Sequence, residues 1–139
     1  MCNVIGIGTD LCRIDRMEKA MTRPGFEGRI CTPDECAYLR AQGKTAPQSA
    51  AAMFAAKEAA AKALGTGFSC GVLPALIEVT HDSLGAPGLL LHGAARARFE
   101  QMGGGRILLS LSHEGDMAVA FVVIAGRDKA AARSRADSD

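Results

Sequence analysis

The chain has 139 residues, with 16 Lys and Arg against 15 Asp and Glu and a formal net charge of +1. This length predicts one domain, and the near-neutral charge argues against nucleic-acid binding by bulk electrostatics. The sequence shows neither a signal peptide nor a long apolar run, which predicts a cytoplasmic protein that does not bind membranes. The five cysteines lack C-x-x-C spacing, so we expect small buried side chains in a reducing compartment.

The first part of the chain predicts one strand followed by two helices. Residues 3–8 (NVIGIG) are typical of a buried strand. Apolar residues then recur at helical spacing over 9–21, and a turn at 23–25 (RPG) ends that helix. A second helix is expected from 32–35 (TPDE) to about residue 43, because Thr, Pro and Glu at these positions form a capping box with Pro in the first turn.

The rest of the chain predicts a long helix and two hairpins. After a polar linker at 43–48, residues 49–64 are the strongest helix prediction because they are rich in Ala, and Gly65 is placed to end this helix. Two strands with a tight turn are expected over 76–92 and again over 107–125. A short helix at 94–102 separates these hairpins.

This order of elements predicts an α+β fold with a mostly antiparallel sheet packed against the long helix. In the last strand Val119, Phe121 and Val123 share one apolar face, and the opposite face is also apolar. We expect the long helix to cover one face and self-association to cover the other. Residues 1–126 form the predicted domain, and the polar tail 127–139 is expected to be frayed or disordered.

Three charged residues, Lys57, Glu58 and Lys62, interrupt the Ala-rich helix. Glu58 and Lys62 are four residues apart and therefore share one face of the helix, so an ordinary surface salt bridge is one interpretation. The alternative is a cleft, because small Ala side chains let neighbouring backbones come close and hold charged groups between them.

Asp10 follows the first strand directly. It can be a helix N-cap, a role that Asp favours, or a cation ligand on a rigid strand end. One carboxylate from a strand and one from a helix suit Mg²⁺, which usually takes one or two carboxylates together with substrate phosphates. Lys62 could then neutralise a phosphate or donate a proton to a leaving oxygen.

His113 ends the strand ILLSLSH. It is either a satisfied histidine at a strand end or a polar contact in a cleft. The zinc motif H-E-x-x-H, the dinucleotide fingerprint G-x-G-x-x-G, the P-loop and the nucleophile elbow G-x-S-x-G are all missing from the sequence. His81 and His92 are interpreted as incidental.

Three segments, in this order and spacing, resemble the holo-[acyl-carrier-protein] synthases, the small-subunit class of 4′-phosphopantetheinyl transferases. They are G-I-G-T-D (6–10), F-A-A-K-E-A-A-A-K-A-L-G-T-G (54–67) and S-L-S-H-E (110–114). The segments F-x-x-R-x-x-T-x-x-E (26–35) and I-E-V-T-H-D-S-L-G-A-P (77–87) also fit. The resemblance spans about residues 4–125.

The resemblance implies transfer of the phosphopantetheine arm of coenzyme A to a serine of apo acyl carrier protein, with release of adenosine 3′,5′-bisphosphate. It implies that Asp10 and Glu58 bind Mg²⁺, that Glu58 takes the serine proton, and that Lys62 assists the leaving phosphate. His113 and the loop Gly65, Thr66 and Gly67 match positions that line the coenzyme A cleft.

The resemblance also implies a homotrimer with active sites at subunit interfaces, in agreement with the apolar sheet. The carrier protein is acidic, and Arg16, Arg23 and Arg29 would form a basic surface for it, with Arg16 at the carrier-contact position. Each arginine can equally belong to a solvated helix face.

Two positions depart from the family pattern. Arg13 stands where Glu is usual, and Met53 stands where Arg is usual, which removes a cation expected near the nucleotide phosphates. Lys57, Arg40 or Lys44 could substitute, and Lys57 is predicted to bind the cofactor. The competing interpretations are a catalytically silent module that binds coenzyme A or the carrier, and Mg²⁺-dependent hydrolysis of a nucleotide pyrophosphate.

Overall fold

Five strands and five α-helices form the described part of the chain, residues 3–128 of a computed structural model. They are β1 (Val4–Arg13), α1 (Ile14–Met21), α2 (Phe26–Ile30), α3 (Pro33–Ala41), α4 (Ala46–Ala63), β2 (Ile77–His81), β3 (Pro87–Leu91), α5 (Gly93–Gln101), β4 (Gly104–Glu114) and β5 (Met117–Gly126). Short 3₁₀ turns lie at Gly43–Thr45 and Pro74–Leu76. The predicted frayed tail, 127–139, lies outside the described residues from position 129 onward.

The main sheet has three antiparallel strands in the order β1-β5-β4, and β2 pairs with β3 in a separate antiparallel ribbon. Helix α4 lies across the main sheet. The four β5 residues that face this helix, Ala118, Ala120, Val122 and Ile124, are fully buried. These findings confirm the predicted α+β fold, with an antiparallel sheet packed against a long helix.

Two glycines of β1 allow α4 to lie directly on the strand. A Cβ atom at Gly6 would overlap the carbonyl oxygen of Ala63, and one at Gly8 would overlap the carbonyl oxygen of Ala59. Ala59 and Ala63 are themselves small and buried. Because neither element has a bulky side chain in this contact, the backbones of β1 and α4 touch.

The opposite face of the main sheet is apolar and open. Its side chains alternate with the buried ones, and Ile7, Leu11, Leu108 and Phe121 are each 45–63% exposed. The sequence predicts this second apolar face. No element within residues 3–128 fully covers these four side chains, in contrast to the face under α4.

Several boundaries follow the prediction and others do not. The capping box of Thr32 and Glu35 is confirmed, and α3 ends at Ala41. The predicted helix at 9–21 is wrong in its first part, because β1 continues to Arg13, which pairs with Met117 of β5. The predicted linker at 43–48 is also partly wrong, since Pro47 lies in the first turn of α4, where a missing N–H costs nothing. Both hairpins are confirmed.

The cysteines only partly match the expectation of buried thiols. Cys31 and Cys36 are buried, Cys12 is half-buried and Cys70 is exposed, and all four are free. Burial is the main reason why the pKa of Cys31 rises to about 12. None of the helices in residues 3–128 is long and apolar enough to cross a membrane.

Gly8→Ala tests the contact between β1 and α4. We expect the free energy of unfolding to fall by about 1–3 kcal/mol or more, because the added Cβ must push two backbones apart. The matched control is Gly28→Ala in α2, where an added Cβ meets no atom within 4 Å. Urea unfolding followed by circular dichroism measures both variants. Equal stability of the two would contradict a tight backbone contact at Gly8.

Candidate functional site

The structure brings Asp10, Glu58 and Lys62 together where β1 meets α4. The Nζ atom of Lys62 donates to Asp10 Oδ1 and to the carbonyl oxygen of Thr9, each at 3.0 Å. Asp10 lies inside β1, three residues before its end, so the N-cap interpretation is wrong. The simple pairing of Glu58 with Lys62 is also wrong, because Lys62 forms its ion pair with Asp10.

The charges of Asp10 and Lys62 both act on Glu58. Burial raises the pKa of Glu58, the negative charge of Asp10 raises it further, and Lys62 partly opposes both effects. The pKa of the Cys12 thiol is raised by burial and then by the negative charges of Asp10 and Glu58. Lys62 is 52% exposed and Asp10 only 19%, so the cluster is open to solvent on the Lys62 side.

The arrangement of donors fits Mg²⁺ better than a transition metal. Within residues 3–128 no group of three His, Cys, Asp or Glu side chains is placed to hold a metal ion. Two carboxylates that repel one another still offer hard oxygen ligands, and a cation would relieve that repulsion. Mg²⁺ commonly uses one or two protein carboxylates and completes its shell with water and substrate phosphates.

Lys57 is adjacent to Glu58 in sequence but has a different environment. It is fully buried, and its Nζ donates to Glu35 Oε1 at 2.8 Å, to the carbonyl oxygen of Pro74 at 2.8 Å and to that of Ile77 at 2.7 Å. All three ammonium donors are therefore used inside the protein. This geometry contradicts the prediction that Lys57 binds the cofactor.

The ion pair of Lys57 and Glu35 belongs to a wider polar network. Glu35 Oε2 accepts from the backbone N–H of Val79, and Glu35 Oε1 accepts from that of Thr32. The Thr32 hydroxyl donates to Glu78, which also contacts His92 Nε2 at 3.0 Å. Burial raises the pKa of Glu78, but the two hydrogen bonds outweigh it and leave the pKa lowered. The network joins α3, α4 and the β2–β3 ribbon.

The predicted basic surface exists. Arg16, Arg23 and Arg29 line one groove of about 580 Å³, together with Arg13. Between the arginines the groove is lined by apolar side chains, namely Leu11, Met17, Ala20, Phe26, Ile30, Phe54, Phe68 and Pro74, and by Cys12. Arg13 also pairs with Asp15 at 2.8 Å, which lowers its availability to a ligand. We call this space the basic groove; Leu11 and Cys12, which follow Asp10 directly in β1, belong to its lining.

His113 lies in a second cavity, of about 460 Å³, at the β4 edge of the sheet. Its Nε2 accepts a hydrogen bond from the side-chain amide of Gln48 at 3.0 Å. The rings of Tyr38 and His81 stack in the same cavity, 4.0 Å apart and 6° from parallel. His81, interpreted from the sequence as incidental, therefore lines this cavity. We call this space the β4-edge cavity.

The structure does not place all predicted site residues together. Strand β5 separates Asp10 on β1 from His113 on β4, so the two strands are about 9–10 Å apart. The loop Gly65, Thr66 and Gly67 follows α4, and Thr66 lines a third cavity of about 520 Å³. Gly65 ends α4 with a φ of 79°, a value suited to glycine, and its N–H donates to the carbonyl oxygen of Lys62.

Sequence reasoning missed several residues beside the predicted ones. Gln48 has no pattern that marks it, since its role comes from contact with a strand about 65 positions later. Arg98 of α5 donates from Nε to the carbonyl oxygen of Leu64 at 2.8 Å and so holds the start of the glycine loop. His81 could have been found, because it lies in the quoted segment 77–87.

The chain is similar to known proteins in both sequence and fold. Residues 6–122 match the 4′-phosphopantetheinyl transferase superfamily. A holo-[acyl-carrier-protein] synthase from Halorhodospira halophila is 49% identical over 123 residues, which cover 87% of this chain and 97% of the relative. The crystal structure of the synthase from Neisseria meningitidis has a TM-score of 0.77 at 38% identity and covers 88% of this chain and 98% of its own.

A third relative was crystallised with a ligand. The holo-(acyl-carrier-protein) synthase from Bacillus anthracis, in complex with CoA (3′,5′-ADP), has a TM-score of 0.75 at 33% identity. The match covers 91% of this chain and all of that one.

Lys57→Met tests whether this lysine supports the fold rather than a ligand. We expect the free energy of unfolding to fall by about 3–5 kcal/mol, because Glu35 would remain buried without its partner. The control is Lys62→Met, which breaks a half-exposed pair and should cost less than about 1 kcal/mol. Urea unfolding compares the two. Wild-type stability of the Lys57 variant, with weaker coenzyme A binding, would restore Lys57 as a cofactor contact.

Proposed function

Because the chain belongs to the 4′-phosphopantetheinyl transferase superfamily, we propose that it transfers the 4′-phosphopantetheine arm of coenzyme A to a serine of apo acyl carrier protein. The observation that carries this proposal is the cluster of Asp10, Glu58 and Lys62 at the contact of β1 and α4. A module that only bound coenzyme A would not require two repelling carboxylates beside a lysine. The cluster therefore favours catalysis over the silent module.

The cluster accounts for the chemistry of the transfer. The serine oxygen of the carrier forms a bond to the phosphorus that bears the pantetheine arm, and the bond from this phosphorus to the second phosphate breaks. Glu58 accepts the serine proton as the carboxylate that acts as general base. Lys62 stabilises the negative charge on the departing adenosine 3′,5′-bisphosphate.

We propose Asp10 and Glu58 as the protein ligands of Mg²⁺. When bound, the ion would neutralise charge on the phosphates of coenzyme A. The Nζ atom of Lys62 lies 3.0 Å from Asp10 Oδ1. A small movement of this side chain would bring the ammonium to a coenzyme A phosphate bound beside Asp10. Such a movement is open to it, because half of its surface faces solvent.

The basic groove is the proposed docking surface for the acyl carrier protein. Arg16, Arg23 and Arg29 provide positive charge, and Phe26 and Phe54 provide apolar contact between them. An acidic carrier would be steered to these arginines, with the apolar side chains contributing to affinity. The groove includes Leu11 and Cys12, which follow Asp10 directly in β1, and this supports the proposal that the serine of a carrier seated there reaches Glu58.

We propose that the β4-edge cavity binds the nucleotide end of coenzyme A, with His113 among its contacts. The stacked rings of Tyr38 and His81 offer an aromatic surface for adenine. Strand β5 separates this cavity from Asp10 within one chain, and we propose that one coenzyme A contacts the cavity of one copy and the carboxylates of the next. The open apolar face with Leu108 and Phe121 supports such self-association, as a homotrimer. Buried free thiols support a cytoplasmic location.

The transfer itself is tested by intact-protein mass spectrometry of an apo acyl carrier protein mixed with the protein, coenzyme A and Mg²⁺. We expect the carrier to gain the mass of one phosphopantetheine, and EDTA to prevent the gain. Glu58→Gln should lower kcat by at least about a hundredfold, because it removes the proposed base. Glu100→Gln, at an exposed glutamate of α5, is the matched control and should keep wild-type activity. Consumption of coenzyme A without carrier would indicate hydrolysis instead.

Arg16→Glu tests the docking surface. We expect the KM for the carrier to rise about tenfold or more at low salt and the KM for coenzyme A to stay unchanged, because an acidic partner would meet a negative charge in the groove. The effect should shrink as salt increases. Arg96→Glu on α5, outside the groove, is the control. An unchanged carrier KM would show that the carrier docks elsewhere.

A further inference from the structure

The β4-edge cavity contains no formally charged side chain. Among its lining residues, all within 3–128, there is no Asp, Glu, Lys or Arg. Its polar groups are those of Tyr38, Gln48, Ser49, His81, Ser110 and His113. The basic groove, which is of similar size, has four arginines. The two recognition surfaces of this protein therefore differ sharply in charge.

Two histidines line the cavity. Burial lowers the pKa of His81, and the neighbouring Asp82 only partly opposes this. His113 Nε2 lies 3.0 Å from the side-chain nitrogen of Gln48. The remaining polar groups facing the histidines are the Tyr38 hydroxyl from α3 and the hydroxyls of Ser49 from α4 and Ser110 from β4.

None of the nearby basic residues Arg40, Lys44 and Lys57 lines the cavity. Met53 lines the cavity from α4 and is only 3% exposed. One turn further along α4, the Lys57 ammonium donates its hydrogen bonds to Glu35 and to two carbonyl oxygens. Arg40 is 70% exposed and pairs with Glu27 at 2.8 Å. Lys44 is exposed on the turn before α4 and does not line the cavity.

On the premise of the proposed function, we propose that the β4-edge cavity binds the adenosine of the donor without strong recognition of its 3′-phosphate. A phosphate is held tightly by charge-assisted hydrogen bonds from Arg or Lys, and neither residue type is among the described residues that line this cavity. The protein should therefore use 3′-dephospho-coenzyme A nearly as well as coenzyme A. The bond that breaks, between the two phosphates of the pyrophosphate, is the same in both donors. With the dephosphorylated donor the leaving group is adenosine 5′-monophosphate.

The first test compares kcat/KM for the two donors at pH 7.5, with apo acyl carrier protein as acceptor. We expect values within about threefold of each other, since a missing charge-assisted contact leaves little to distinguish the donors. Binding of adenosine 3′,5′-bisphosphate and of adenosine 5′-monophosphate, measured by calorimetry, should show the same small difference. This second measurement needs no catalysis.

Met53→Arg adds the missing cation to the cavity wall. We expect it to raise the ratio of kcat/KM for coenzyme A to kcat/KM for the dephosphorylated donor by about tenfold or more. Met53→Gln keeps the side-chain length without the charge, and its donor ratio should match the wild type. Thermal unfolding of each variant verifies that the fold is retained.

The outcomes separate this inference from the proposed function. Transfer from both donors at similar rates supports both. Transfer with a preference for coenzyme A above about a hundredfold would overturn the inference alone, and would show that a cation from elsewhere, such as a second copy, reaches the 3′-phosphate. Transfer from neither donor to several carriers would overturn the proposed function, and the calorimetric comparison would then decide whether the cavity ignores the 3′-phosphate.

Discussion

The backbone contact between β1 and α4 is the constraint on which the rest of the structure depends. Gly6 and Gly8 have no Cβ to hold the helix away, and Ala59 and Ala63 add only methyl groups on the other side. A strand and a helix normally pack through layers of larger side chains. Here the missing layer brings the Lys62 ammonium to within 3.0 Å of Asp10, although 52 positions separate them in sequence.

Two neighbouring charged residues of the same helix lie in very different environments. Lys57 and Glu58 are neighbours, yet the first is fully buried and the second remains partly open to solvent. A buried ammonium is tolerated only with a full set of acceptors, and Glu35, Pro74 and Ile77 provide them. The motif K-E therefore combines a residue that fixes the β2 ribbon to α4 with a residue that faces the proposed substrate.

The basic groove and the β4-edge cavity differ in charge, although the chain as a whole is nearly neutral. The formal net charge is +1, but four arginines gather in the basic groove and none of the residues lining the β4-edge cavity is formally charged. An acidic protein and a nucleotide are bound by different kinds of surface. In the proposed function the groove would attract an acidic carrier at long range, and the cavity would bind a nucleotide by shape and aromatic contact.

The sequence by itself determined the α+β class, both hairpins, the capping box and the segments that carry Asp10, Glu58, Lys62 and His113. These features depend on local periodicity, turn chemistry and short motifs, which a single chain displays directly. Only the tertiary structure decided that β1 runs on to Arg13, that Lys57 is buried, and that His81 and Gln48 share a cavity with His113. Each of these depends on contacts between residues far apart in the chain, such as Arg13 with Met117 and Lys57 with Glu35, and no local pattern encodes such pairings.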